Sequence, residues 1–132
     1  MSIQLSVAVR NARLDSLETA VGLTPKLALF SGAVPVNCAA ADPSGELARM
    51  TLPSDWMNGA SGGTKTLLGT WSCAASGAGT AASFRIYASD GTTCHLQGTV
   101  GLGSGDLALD NTSIAIGQTI SVTALALTDG NA

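Results

Sequence analysis

The chain has 132 residues, of which 45% are apolar but only 4% aromatic and 11% charged, and its formal net charge is -3. That length fits one domain with a modest core, and the balance of charge argues against nucleic acid, because phosphate binding needs clustered Lys and Arg. The basic residues Arg10, Arg13, Lys26, Arg49, Lys65 and Arg85 are scattered instead, and a chain so far below the ~25% charge of an ordinary domain has few ions to desolvate in contact with a neighbour.

Residues 5–21 have helical spacing, with Ser2 placed to act as N-cap. Val7, Leu14, Leu17 and Val21 form one stripe at heptad spacing, Arg10 takes the remaining position, and Leu5, Val9 and Ala12 widen the apolar face. Gly22 stops the helix and Pro25 forbids its continuation. Arg10 and Arg13 precede Asp15 and Glu18, an order that opposes the helix dipole at about 0.3 kcal/mol per charge or more. Packing must therefore hold this helix, either as a cover on the sheet or as a contact with another chain.

Everything downstream reads as short strands. Residues 26–31 (KLALFS) form the first, and residues 33–45, with Pro35, Asn37 and Pro43, form a long loop. Residues 47–52 (LARMTL) follow, with Ala48, Met50 and Leu52 on one face; Pro53, Ser54 and Asp55 then turn the chain, and Trp56 and Met57 lie inside that turn. After a flexible connection over 58–64, residues 65–72 (KTLLGTWS) read as a strand with a bulge at Gly69. Ala82, Phe84, Ile86 and Ala88 alternate with Ser83, Arg85 and Tyr87 as a half-buried strand, and Ser89, Asp90 and Gly91 turn a hairpin. Its return strand, 92–100, points Cys94, Leu96, Gly98 and Val100 inward and Thr93, His95, Gln97 and Thr99 outward. Residues 101–106 (GLGSGD) loop, Leu107 and Leu109 form a short strand, and Ile114 and Ile116 another. The last strand is 119–128, with Ile120, Val122, Ala124 and Ala126 on one face. The pattern predicts a mainly β protein, an antiparallel β-sandwich of about seven or eight short strands preceded by one N-terminal α-helix. Its organisation is a helix over 1–22, acting as interface or cover, and a sandwich over 23–132.

No constellation of catalytic residues emerges. The one histidine, His95, neighbours Cys94, but adjacent strand residues point to opposite faces, so the two form no dyad. No G-x-S-x-G elbow occurs, and the glycines of 101–105 lack a phosphate-loop pattern. Asp106, Asp110 and Asn111 lack calcium-loop spacing, and the latter two read as turn formers. Cys38, Cys73 and Cys94 are odd in number and contain no C-x-x-C. They read as free or buried thiols, with one disulfide and a leftover thiol as the alternative. No cofactor, metal ligand or catalytic residue is expected. Trp56 and Trp71 plug the core or, as the alternative, anchor an interface, with a sugar-stacking platform as a third reading. Arg10, Asn11 and Arg13 interrupt the N-terminus, so no signal peptide is read there, and no stretch reaches the ~18 apolar residues of a membrane span. Synthesis and folding in the cytoplasm are the corresponding expectation.

Four segments carry a resemblance: residues 2–22 (SIQLSVAVRNARLDSLETAVG), 52–57 (LPSDWM), 84–101 (FRIYASDGTTCHLQGTVG) and 105–128 (GDLALDNTSIAIGQTISVTALALT). Together they resemble a group of small proteins encoded among the virion structural genes of tailed phages and prophages. The resemblance implies a capsid decoration, or cement, protein: non-enzymatic, present in many copies, and bound across joints of the major capsid lattice. Its implied partners are the major capsid protein and further copies of itself as a homo-oligomer, with no nucleic acid and no membrane. The implied location is the virion. The interface residues expected on this reading are Val7, Arg10, Leu14, Leu17, Val21 and Trp56. A neck, tail or fibre adaptor is the runner-up, followed by a small carbohydrate-binding β-sandwich module.

Overall fold

The computed structural model describes residues 3–130. Its single helix, α1, spans Val7–Val21. The cap is Ser6, whose Oγ accepts the Val9 N–H at 3.2 Å; Ser2 lies outside the described residues. The helix ends as the sequence requires, at Gly22 with φ 91°, whose N–H still reaches the Glu18 carbonyl. Pro25 then leads directly into the first strand.

Ten strands follow: β1 Lys26–Phe30, β2 Glu46–Thr51, β3 Thr64–Thr66, β4 Ser72–Ala74, β5 Gly79–Thr80, β6 Ser83–Tyr87, β7 Cys94–Leu102, β8 Leu107–Leu109, β9 Ser113–Ile114 and β10 Thr119–Thr128. Eight form one sheet in the order β2-β1-β6-β7-β8-β10-β3, with β4 also paired to β10, and β5 and β9 make a separate two-stranded ribbon. The sheet curls far enough for the chain after β4 to meet β2, where the Ser76 and Gly77 N–H groups both donate to the Leu47 carbonyl at 2.9 and 3.0 Å.

The sheet is mixed, not wholly antiparallel, because β7 and β8 run parallel, with Val100 beside Leu107 and Leu102 beside Leu109. A parallel connection ordinarily needs a dozen or more residues; here the loop 103–106 suffices. Glycine makes this possible. A Cβ on Gly101 would fall 2.6 Å from the Ser104 carbonyl oxygen, and one on Gly105, at φ 80°, would fall 3.0 Å from the Gly101 nitrogen. Asp106 then fastens the doubled-back chain, its Oδ2 accepting the Thr99 N–H at 2.9 Å and the Thr99 hydroxyl at 3.0 Å.

Three further details depart from the sequence pattern, each for a local reason. The strand expected over 65–72 is interrupted, so that β3 and β4 pair separately with the two ends of β10; Gly69, at φ 81°, sits in the break. In β10 the register shifts between Val122 and Ala124. Ile120 and Val122 are buried as expected, but Leu125 replaces Ala124 as the next buried residue, and Ala124 and Ala126 are exposed. In β7 a register shift opposite Ile86 and Tyr87 leaves His95 unpaired. Cys94 thereby joins the face opposite to Leu96 and packs with Ala28, Phe30 and Tyr87.

One large core fills the curl. Leu27, Leu29, Ala48, Met50, Phe84 and Ile86 meet Leu107, Leu109, Ile120, Val122 and Leu125, with Trp56 and Trp71 between them. The two indoles lie 6.0 Å apart and tilted by 40°, and each N–H finds a carbonyl, Gly22 for Trp56 and Leu68 for Trp71. Val21 belongs to this core and Leu17 packs against it, so helix and sheet share one interior.

Candidate functional site

The charges on α1 that run against the helix dipole have partners elsewhere in the chain, on β3 and just after β10. Lys65 of β3 is 1% exposed, and its Nζ lies 2.7 Å from both Asp15 Oδ1 and Glu18 Oε2. Asp15 Oδ1 also accepts the Ala60 N–H at 3.0 Å, and Asn11 Oδ1 accepts that of Gly63 at 2.9 Å. The Lys65 hydrogen bond, with the Ala60 amide behind it, holds the Asp15 carboxyl below the usual range. Burial works to lower the Lys65 ammonium, but hydrogen bonds to the two acids outweigh it and leave the group raised. At the other end of the helix, Arg13 Nε pairs with Asp129 Oδ2 at 3.1 Å, and Arg10 Nη1 reaches the Asp129 carbonyl at 3.4 Å. The helix is docked on its own chain by a polar belt around a small apolar seam.

A second polar cluster lies on the outer face of β1, β6 and β7. The half-buried strand expected over 82–88 is buried on both faces in β6, because residues 31–45 fold down over Ser83, Arg85 and Tyr87. Arg85 holds that loop. Its Nη1 donates to the Ala40 carbonyl and to Asp42 Oδ1, and its Nη2 to the Asn37 carbonyl, each at 3.0 Å. Its Nε bonds Gln97 Oε1 at 3.1 Å, and Gln97 Nε2 bonds the Pro35 carbonyl at 2.8 Å. Ala28 stands directly beside Arg85 across the strands and leaves room for the guanidinium. Tyr87 donates its hydroxyl to Asp42, and Arg49 lies over its ring at 4.7 Å. Burial, reinforced by the Asp42 carboxylate, pushes the Tyr87 phenol up to about 12.

These placements decide what the six residues expected at an interface can do. Leu14, Val21 and Trp56 are buried within the chain, Leu17 packs half-buried against the same core, and Arg10 reaches Asp129. Val7 alone is well exposed, at 48%. It shares the open start of the helix with exposed Ile3 and Val9, while Leu23, Val36, Leu102 and Ile116 are exposed singly elsewhere. Sequence reasoning missed Lys65, Arg85 and Asp42 as organising residues. No local signal marks them: Arg85 occupies the polar side of its strand's alternation and Asp42 lies in a loop, so their roles depend on partners distant in sequence.

His95 is exposed at its bulge, and the carboxylates of Asp106 and Asp110 and the amide oxygen of Asn111 accept from backbone N–H groups of Thr99, Ser121 and Ser113. Among the described residues, no group of three or more His, Cys, Asp or Glu is placed to hold a metal ion, and no helix is long and apolar enough to cross a membrane. An open depression of about 330 Å³ at the end of α1 is lined by Glu18, Thr19, Gly22, Leu23 and Ser54. Its one titratable group, Glu18, is already paired with Lys65. No protein-family model, curated protein or solved structure matches this chain.

Proposed function

We propose that the chain is a non-enzymatic structural component of a tailed-phage virion, a decoration protein that reinforces the major capsid lattice through protein–protein contacts. On this reading the curled sheet serves as a rigid sandwich of two halves, β2-β1-β6-β7 against β8-β10-β3, and its task is mechanical. The observation that carries the proposal is the surface left once the charged groups have found partners inside the chain. Lys65, Arg85, Asp15 and Asp42 are bound internally, and what faces outward includes Ser, Thr and Ala strand positions with exposed Ile3, Val7 and Val9 at the helix start. Such a surface docks with little desolvation of ions. Many modest contacts of this kind, each reinforced by neighbouring copies on one lattice, add to a firm attachment. The resemblance of residues 2–22, 52–57, 84–101 and 105–128 to phage virion proteins supplies the choice of partner.

The test is copy number. Particles of the phage or prophage carrying this gene are purified by density gradient and the chain is quantified by mass spectrometry against the major capsid protein. A ratio near one copy per capsid subunit, or a simple fraction of it, supports decoration. A handful of copies per particle makes the chain a neck or tail adaptor, and absence from washed particles overturns the virion assignment.

A further inference from the structure

Cys38 lies in the loop 31–45, between Asn37 and Ala40, whose carbonyls are held by Arg85. Cys94 lies beneath that loop on β7, brought to the outer face by the register shift at Tyr87, and packs against the Ala28, Phe30 and Tyr87 cluster. Residues 37–42 sit over Arg85 and Tyr87, Cys94 is the cross-strand partner of Tyr87, and both cysteines are half-buried free thiols. They are 56 positions apart in sequence, and the Arg85 bonds to the Asn37 and Ala40 carbonyls hold the segment that carries Cys38 on the face that carries Cys94. The third thiol, Cys73, is on β4 and packs against the main core instead.

We propose that Cys38 and Cys94 are a disulfide-forming pair, a covalent clasp that closes in an oxidising medium and locks residues 31–45 onto the outer face of the sheet. The oxidant is a low-molecular-weight disulfide such as oxidised glutathione. One cysteine thiolate attacks its S–S bond, forming a mixed disulfide and expelling one glutathione thiolate. The second cysteine thiolate then attacks the protein sulfur of that mixed disulfide and expels the other. The two cysteines are oxidised by two electrons, the glutathione disulfide is reduced to two thiols, and those thiols take up the two protons the cysteines lose. Burial, with Cys38 alongside, pushes the Cys94 thiol up to about 11, so closure is slow at neutral pH and accelerates as the pH is raised. The inference does not depend on the virion assignment; it predicts a chain that folds reduced and stiffens once it leaves a reducing compartment.

The experiment uses the full chain, folded, in reduced and oxidised glutathione buffers at pH 8, followed by alkylation, intact mass and peptide mapping. The expected result is one alkylatable thiol, at Cys73, a linked peptide pair containing Cys38 and Cys94 within a monomer, and a rise in Tm on the order of 10 °C that dithiothreitol reverses. Cys73→Ser should keep the rise, and Cys38→Ser and Cys94→Ala should each abolish it while keeping the reduced Tm. Three thiols that all remain alkylatable, a link that uses Cys73 or joins two chains, or an oxidised form no more stable than the reduced one would overturn the proposal.

Discussion

A single tyrosine makes the outer-face clamp directly measurable. Tyr87 is the only phenol in the chain, so absorbance near the phenolate band reports that residue alone. Its folded value of about 12 lies above the ~10 of an unfolded chain. Below pH ~10 both states keep the proton and the stabilisation is complete; between there and about 12 the unfolded chain loses the proton first, so stability falls as pH rises. An alkaline titration should therefore show the phenol ionising late, and Asp42→Asn should move the transition toward 10. A phenol titrating near 10 in the folded wild type would mean that the loop 31–45 leaves it open. The Lys65 cluster makes a complementary prediction from its asymmetry. Asp15 and Glu18 can turn to water if Lys65 is lost, since their side chains are 53% and 22% exposed; Lys65, at 1%, cannot. An Asp15→Asn, Glu18→Gln double variant strands a buried cation, so urea unfolding should rank it below Lys65→Met. Asp15, held low in the folded state, also contributes stability that is present above pH ~4 and lost as pH falls through its folded value.

At the scale of elements, the helix is the test case. Leu14 is 6% exposed and Val21 4%, the carbonyl of Gly22 satisfies the Trp56 indole, and Lys65 depends on two helical acids. Leu14→Ala should cost about 2–4 kcal/mol, read as a lower urea midpoint with an unchanged slope. Removing residues 1–22 should abolish the cooperative transition instead of releasing a folded sheet. A truncated chain that unfolds cooperatively near the full-length midpoint would show that the helix is dispensable to the core. The helix itself was legible in the sequence, as were its stop at Gly22, β1, β2 and the hairpin at Asp90, because apolar period and turn chemistry are local signals. The carboxylate of Asp90, accepting from Thr92 and Thr93, is the local device that such signals report. What the sequence did not reveal depended on distant partners. The reversed charges of α1 looked like a defect until Lys65 and Asp129 stood opposite them. Likewise, nothing within residues 82–88 announces that the loop 31–45 will bury their outer face.

For the whole molecule, the division between residues used inside and residues left outside separates folding from assembly. The heptad stripe read from the sequence mixed the two. Leu14, Leu17 and Val21 serve the interior, Arg10 serves the polar belt, and Val7 at the stripe's start is exposed. Ile3, Val7 and Val9 are therefore the exposed apolar side chains nearest to what the stripe was expected to supply. Charged residues placed there should leave the fold intact, since exposed substitutions away from packed features usually move stability by no more than about 0.5 kcal/mol. The same charges would have to be desolvated in any contact that covers these side chains. A Val7→Glu, Val9→Glu double variant, whose charges lie at the end of the helix dipole that favours anions, should thus keep at least the wild-type unfolding midpoint while losing attachment to particles, or self-association where light scattering finds the wild type oligomeric. An equal midpoint with undiminished attachment would move the contact surface away from the helix, toward the singly exposed Val36, Leu102 and Ile116. A lowered midpoint would show that the start of the helix belongs to the core after all.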